Sequence, residues 1–268
     1  MIFKYLTVDK LFIYQNNAFM ELVQLKICEH IAYITLNRPQ VYNAINSEMV
    51  KQFSSCLQKI ADVSTVRVVI TRGEGANLSS GSDLKQISNM SSSEAGLIES
   101  QHAEVFRLLD KVRPITIAVL EGYALGGGLG LSLYHDFRIA TQNAIIGLPE
   151  VELGWTPPWA LGRLVDIVGY SKARWLTLSS SKLTGVEAEK IGLVDIVFPD
   201  KDINNNIDKT ASRFAGLSID IITATKQFFH QMSANNRSKE WDNLAQKKFE
   251  LCFSDESHIH NILEKYRS

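Results

Sequence analysis

Three short stretches carry the residues able to do chemistry. In Glu121-Gly-Tyr-Ala-Leu-Gly-Gly-Gly-Leu-Gly130, three successive glycines follow the apolar run Ile115–Leu120 and precede Leu129, Leu131 and Leu133. A backbone without side chains lets a ligand approach closely. Where such a run opens a helix, its N–H groups lack intrahelical partners and carry partial positive charge, which suits an anion or a developing oxyanion. Tight packing would use the same glycines, and the strand–Gly–helix context alone leaves the two readings even. A second loop, Leu78-Ser-Ser-Gly-Ser-Asp-Leu-Lys85, follows another apolar run and has the same small-residue character. Two N–H donors on separate loops can hold one carbonyl oxygen between them. The third stretch is Gly147-Leu-Pro-Glu-Val-Glu-Leu-Gly154, where Pro149 ends a strand and presents Glu150 just past it. A lone glutamate is usually a solvated charge. Glu150, however, stands among Leu148, Val151, Leu153, Trp155, Pro157, Pro158 and Trp159. Apolar surroundings raise a carboxyl's pKa toward the range of a useful general base.

The elements that must position these loops follow from periodicity. Val23, Leu25 and Ile27, then Ile31, Tyr33 and Thr35, alternate as two strands of a hairpin around Glu29–His30. Ser47 is expected to cap a helix whose apolar face is Val50, Phe53, Leu57 and Ile60. Val66–Thr71 and Ile115–Leu120 are continuous apolar runs, as in strands buried on both faces. A helix is expected over residues 93–112, packing through Leu97, Val105, Leu108, Leu109 and Val112. Further strands are expected at Phe137–Ala140, Ala144–Leu148 and Val194–Phe198, with helices beyond Asp200. Strand–helix alternation followed by a helical tail is an α/β layout. Residues 1–20 read as an extension, 21–200 as the core and 201–268 as a helical C-terminal region.

Composition excludes several classes. The 28 Lys+Arg and 29 Asp+Glu nearly cancel, so the chain has no general electrostatic affinity for nucleic acid. Cys28, Cys56 and Cys252 are odd in number and far apart, which argues against a disulfide framework and a cysteine-rich metal site. No run approaches the ~18 apolar residues of a membrane span. The N-terminus reads poorly as a secretory signal, and a cytoplasmic location is expected.

Taken in order, LNRPQVYNAINSEM, SSGSDLK, IAVLEGYALGGG and IGLPEVELGW resemble the crotonase, or enoyl-CoA hydratase/isomerase, family over roughly residues 21–268. The resemblance implies a crotonase-like ββα superhelix whose helical C-terminal region serves trimerisation, commonly in a dimer of trimers. It implies a coenzyme A thioester as substrate, with no cofactor beyond that coenzyme and no metal. Family oxyanion donors map to the backbone N–H of Ser82 and of Gly127, with Glu150 as the catalytic carboxylate. The neighbouring Ser80, Gly81, Asp83, Leu84, Lys85 and Gly126 become substrate-binding positions. Ala44 falls at the coenzyme A entrance, where Tyr42 stands in place of a lysine often found there.

One departure separates the family's reactions. Hydratases usually place a glutamate three residues beyond the middle glycine, and here that position is Gly130. Water addition is poorly served by the one carboxylate that remains. Moving a double bond from C3=C4 to C2=C3 needs only one base, which takes a proton at C2 and returns it at C4. The run Ile146–Trp159 is also similar to that of single-glutamate Δ3,Δ2-enoyl-CoA isomerases. Trp155 and Trp159 are expected to crowd the acyl end and exclude water. Isomerisation is therefore the leading expectation and 2-enoyl-CoA hydration the alternative. A non-catalytic CoA-ester-binding scaffold comes third, and RNA binding is weak because helix 47–60 offers only Lys51 and Lys59. Lys226 is a candidate for coenzyme A phosphates. Ser79, Ser80 and Ser82 have no histidine placed to activate them.

Overall fold

Strands that are apolar on both faces must be covered on both, and the architecture follows from that need. A computed structural model describes residues 20–233, 238–253 and 262–266; the extension expected at 1–20 lies outside them apart from Met20. Among the described residues nine strands run in chain order as β1 (Val23–Cys28), β2 (Ile31–Leu36), β3 (Val68–Gly73), β4 (Ile115–Leu120), β5 (Tyr123–Leu125), β6 (Phe137–Thr141), β7 (Ile145–Gly147), β8 (Lys182–Leu183) and β9 (Ile196–Phe198). The main sheet has the order β1-β2-β3-β4-β6-β9, and a smaller one has β5-β7-β8. β1 and β2 form the expected antiparallel hairpin, and β2, β3, β4, β6 and β9 pair in parallel. β5 and β8, three and two residues long, escaped the sequence pattern because such short strands show no period.

The helices are α1 (Ser47–Ala61), α2 (Leu84–Ile87), α3 (Ser92–Phe106), α4 (Gly127–Leu133), α5 (Leu161–Ser179, broken at Gly169), α6 (Gly185–Lys190), α7 (Ile203–Ala215), α8 (Ile219–Ser233) and α9 (Ser238–Phe253). Successive units β4-β5-α4 and β6-β7-α5 each give one strand to the large sheet, one to the small sheet, and then a helix. This is the ββα spiral that the resemblance implied. Val69, Ala118, Leu120 and Ala140 point into a core shared with α1, α4 and α5. Their neighbours Val68, Ile70, Ile117, Val119 and Ile139 face α7 on the other side.

Two helix expectations need correction. Asn46, not Ser47, caps α1: its side chain accepts from the Met49 amide, while the Ser47 hydroxyl accepts from Gln86. α3 ends at Phe106 and tightens into a 3₁₀ turn over Arg107–Lys111. Leu97 is exposed, whereas Val105, Leu108, Leu109 and Val112 pack on the core as expected, and the buried face of α3 also carries Ala95, Glu99, His102, Ala103 and Phe106. The face is rotated because α9 folds back along α3, with Glu250 lying against Gly96. Among the described residues, no helix is long and apolar enough to cross a membrane.

Candidate active site

Because β3 and β4 are parallel, their carboxyl ends open on one edge, and the two Gly-bearing loops meet there. The loop after β3 is stitched to β5: Ser79 N–H donates to the Tyr123 carbonyl (2.9 Å) and Leu125 N–H to that of Ser79 (3.0 Å). Buried Asn43 ties the same loop to the chain before α1, its amide donating to the carbonyls of Glu74 and Asn77. Ile45 N–H donates to Gly81 and Asp83 N–H to Ile45, each at 2.8 Å, which seats Ser82 between them. Ser82 then faces the start of α4. A Cβ built on Gly127 would lie 3.5 Å from Ser82 N and 3.2 Å from its Oγ. Among the described residues neither the Ser82 nor the Gly127 amide donates to a protein acceptor, as the first turn of a helix allows.

Glu150 reaches this point from the turn after β7. Its carboxyl is buried, with Oε2 lacking a protein partner. Oε1 lies 3.0 Å from where a Cβ of Gly126 would stand. Gly126 also has φ +52°, ψ −124°, a conformation that side chains resist. Burial pushes the Glu150 carboxyl up to about 8, with the charge of Glu99 adding to the rise and a backbone hydrogen bond opposing it. Glu150 therefore holds its proton at neutral pH.

Gly130 has a steric reason. A Cβ there would sit 2.6 Å from Cζ3 and 2.8 Å from Cη2 of Trp159, so the indole occupies the ground that a side chain at 130 would need. Trp159 stacks on Tyr134, leans on Phe106, and donates from Nε1 to Glu99 Oε2 at 2.7 Å. Gly130→Ala should cost about 1–3 kcal/mol of stability as an overpacked core, read as a lowered midpoint in denaturant unfolding; an unchanged midpoint would contradict this placement of the indole.

Glu99 is the functional candidate that sequence reasoning missed. It is 1% exposed, lines the same cavity as Glu150, Trp159, Gly127, Gly130 and Ser82, and leaves Oε1 without a protein partner. His102 Nδ1 lies 4.0 Å from Glu99 Oε2; burial lowers the imidazole's pKa and keeps it neutral. A signal was present: Glu99 and His102 share the helical stripe of Ala95, Ala103 and Phe106, and two polar residues on a buried stripe are unusual.

The remaining expected positions divide. Gly126, Gly127, Ser82, Glu150 and Trp159 come together around the cavity. Trp155 does not: it packs edge-on against Phe249 in a separate cluster with Ile87 and Ala95, so its expected place at the acyl end is corrected. Gly81 lies against Gly127 N, and Ala44 gives its carbonyl to Arg38. The Ser80 hydroxyl donates to the Val41 carbonyl. Asp83 caps α2 and pairs with Arg38 (2.9 Å), Leu84 is half-buried beside it, and Lys85 is exposed. Lys226 is tied to Asp136 (2.6 Å) and the Pro114 carbonyl, a structural placement that corrects its candidacy for phosphate. His135 is buried between Thr71 and the Leu131 carbonyl, and Glu152 is exposed.

Residues 26–267 match the family described as enoyl-CoA hydratase/isomerase. The chain is 32% identical over 233 residues to a short-chain-enoyl-CoA hydratase of Clostridium acetobutylicum, covering 84% of this chain and 87% of that protein. It is 34% identical over 187 residues to a crotonyl-CoA hydratase of Syntrophomonas wolfei, covering 69% and 72%. Its fold is similar to that of an enoyl-CoA hydratase from Mycobacterium avium subsp. paratuberculosis, with a TM-score of 0.81 at 20% identity over 92% of this chain and 100% of the other.

Proposed function

The chain belongs to the enoyl-CoA hydratase/isomerase family, and on that premise we propose that it moves the double bond of a 3-enoyl-CoA to the 2 position with Glu150 as its base. One observation carries the choice of reaction. The place where a second glutamate would stand on α4 is filled by the Trp159 indole, while Glu150 remains buried beside the Ser82 and Gly127 amides. In this reading the two amides hold the thioester oxygen. Glu150 takes a proton from C2, the negative charge spreads onto that oxygen, and the dienolate is protonated at C4. Donors aimed at the developing oxyanion supply much of the rate. The packed rings of Trp159, Tyr134 and Phe106 keep water from the dienolate.

Hydration of 2-enoyl-CoA is the second reading, favoured by the hydratase names of the relatives and by the second carboxylate, Glu99, on the cavity. The ratio of wild-type rates separates the two. Isomerisation of 3-enoyl-CoA is expected to exceed hydration of crotonyl-CoA by at least about tenfold, followed by absorbance and by product mass. Hydration that matches or exceeds isomerisation would reverse the assignment.

The same proposal includes assembly as a trimer or a dimer of trimers. Of the apolar tail residues, Ile222 turns inward, whereas Phe228, Phe229 and Leu251 are each about 60% exposed, and the Phe253 side chain lies outside the described residues. Exposed apolar faces of this kind call for a partner surface. Light scattering is expected to give a mass of three or six chains; a stable monomer at micromolar concentration would refute it.

A further inference from the structure

The geometry points to Glu99 as a second catalytic residue, the acid that protonates C4 while Glu150 serves C2. The inference rests on the isomerase reading. Glu150 comes from the turn after β7 and Glu99 from α3, and both line one buried cavity. Each keeps one carboxylate oxygen buried with no partner among the described residues: Oε2 of Glu150 and Oε1 of Glu99. Among the described residues no lysine or arginine lines that cavity, and His102 beside Glu99 stays neutral. Two carboxylates in such a place do not both ionise, so the pair retains a proton between them. Position assigns the roles. Glu150 lies against Gly126, next to the oxyanion amides, and so serves C2. Glu99 meets the indole at Nε1 and, unlike Glu150, is not among the nearest neighbours of Gly126 or Gly127, and so serves the carbon further along the chain.

The cycle balances. At rest the pair holds one proton, on Glu150. The proton shifts from Glu150 to Glu99 within the cavity, which frees Glu150 to act. Glu150 carboxylate then takes the C2 proton, and the C–H electron pair forms the dienolate on the thioester oxygen. Glu99 gives its proton to C4, the C2=C3 bond forms, the carbonyl is restored and the resting state returns. The hydrogen placed at C4 is therefore never the one just removed from C2. A single glutamate would carry that same hydrogen across.

Glu99→Gln tests this, because the glutamine oxygen still accepts from Trp159 Nε1 and so keeps the indole in place. A 3-enoyl-CoA carrying deuterium at C2 is turned over once with enzyme in excess. Wild type is expected to give product without its own C2 deuterium at C4. The folded variant is expected to lose about 10²-fold in rate, with its residual product now carrying that deuterium. A wild-type rate in the variant, or a label distribution identical in the two proteins, overturns the inference. Failure of wild type to isomerise any 3-enoyl-CoA would instead sink the isomerase reading. Glu99 would then be judged in hydration of 2-enoyl-CoA, where an unchanged rate for Glu99→Gln overturns its role and a matching loss sustains it.

Discussion

Glu150→Gln is expected to lower kcat by about 10²–10⁴-fold, the usual cost of removing a general base, with CoA-ester binding largely kept. Glutamine preserves the volume beside Gly126 and can still hydrogen-bond, but it cannot accept a proton. The fold should tolerate the change and even gain from it. The carboxyl's pKa rises from the ordinary 4.5 to about 8 on folding. A raised pKa means that this group's contribution to stability is full below about 4.5 and is lost as pH climbs through about 8. Relative to wild type, the glutamine variant should therefore melt at progressively higher temperature across that window. Thermal unfolding and steady-state kinetics on the same preparations check both halves. A folded variant with wild-type kcat would remove Glu150 from the chemistry.

Gly127→Val is the second large effect. Gly127 has no positive φ, so the backbone accepts a side chain, and the nearest neighbours of a Cβ lie at 3.2–3.5 Å, close but not colliding. Those neighbours are Ser82 Oγ, Ser82 N and the edge of the Trp159 ring, so the valine methyls enter the space between the two amide donors. Loss of one oxyanion donor costs about 10²–10³ in kcat, and blocking the oxygen's position should cost at least as much. Stability should fall far less. Retained turnover in the folded variant would mean that the thioester oxygen sits elsewhere.

The two Gly-bearing loops and the turn that presents Glu150 were legible in the sequence because each is local. A strand ends, glycines or a proline follow, and the next residue's position is set within three or four bonds of backbone. The parallel strands were legible because burial on both faces writes itself as an unbroken apolar run. Glu99 was not, since what brings it to the cavity of Glu150, 51 residues on in sequence, is the docking of α3. Its own segment was read through Leu97, an apolar residue that the fold leaves exposed because α9 fixes the rotation of α3. Trp155 and Trp159 looked equivalent on paper, four residues apart in one Pro-rich run. They part because the buried acceptor for an indole N–H, Glu99, waits on one side and the Phe249 ring on the other. Lys226 followed the same logic in reverse: a cation that reads as free in sequence meets Asp136 once α8 closes over the sheet.

The loop that carries Trp159 is held from a distance. Asp242 on α9 accepts from the Ala160 amide (2.9 Å) and from the buried Tyr134 hydroxyl (3.0 Å), and it pairs with Arg107 at the end of α3. The sequence separations are 82, 108 and 135 residues. A chain emerging from the ribosome can therefore pair β1 to β9 in turn, yet the wall of its cavity waits for residues that are made after all of these strands. Until α9 docks, Arg107 and the Tyr134 hydroxyl lack their acceptor and the indole's loop is untethered, so the site is finished in one late step that closes the C-terminal part of the chain over what was made before it.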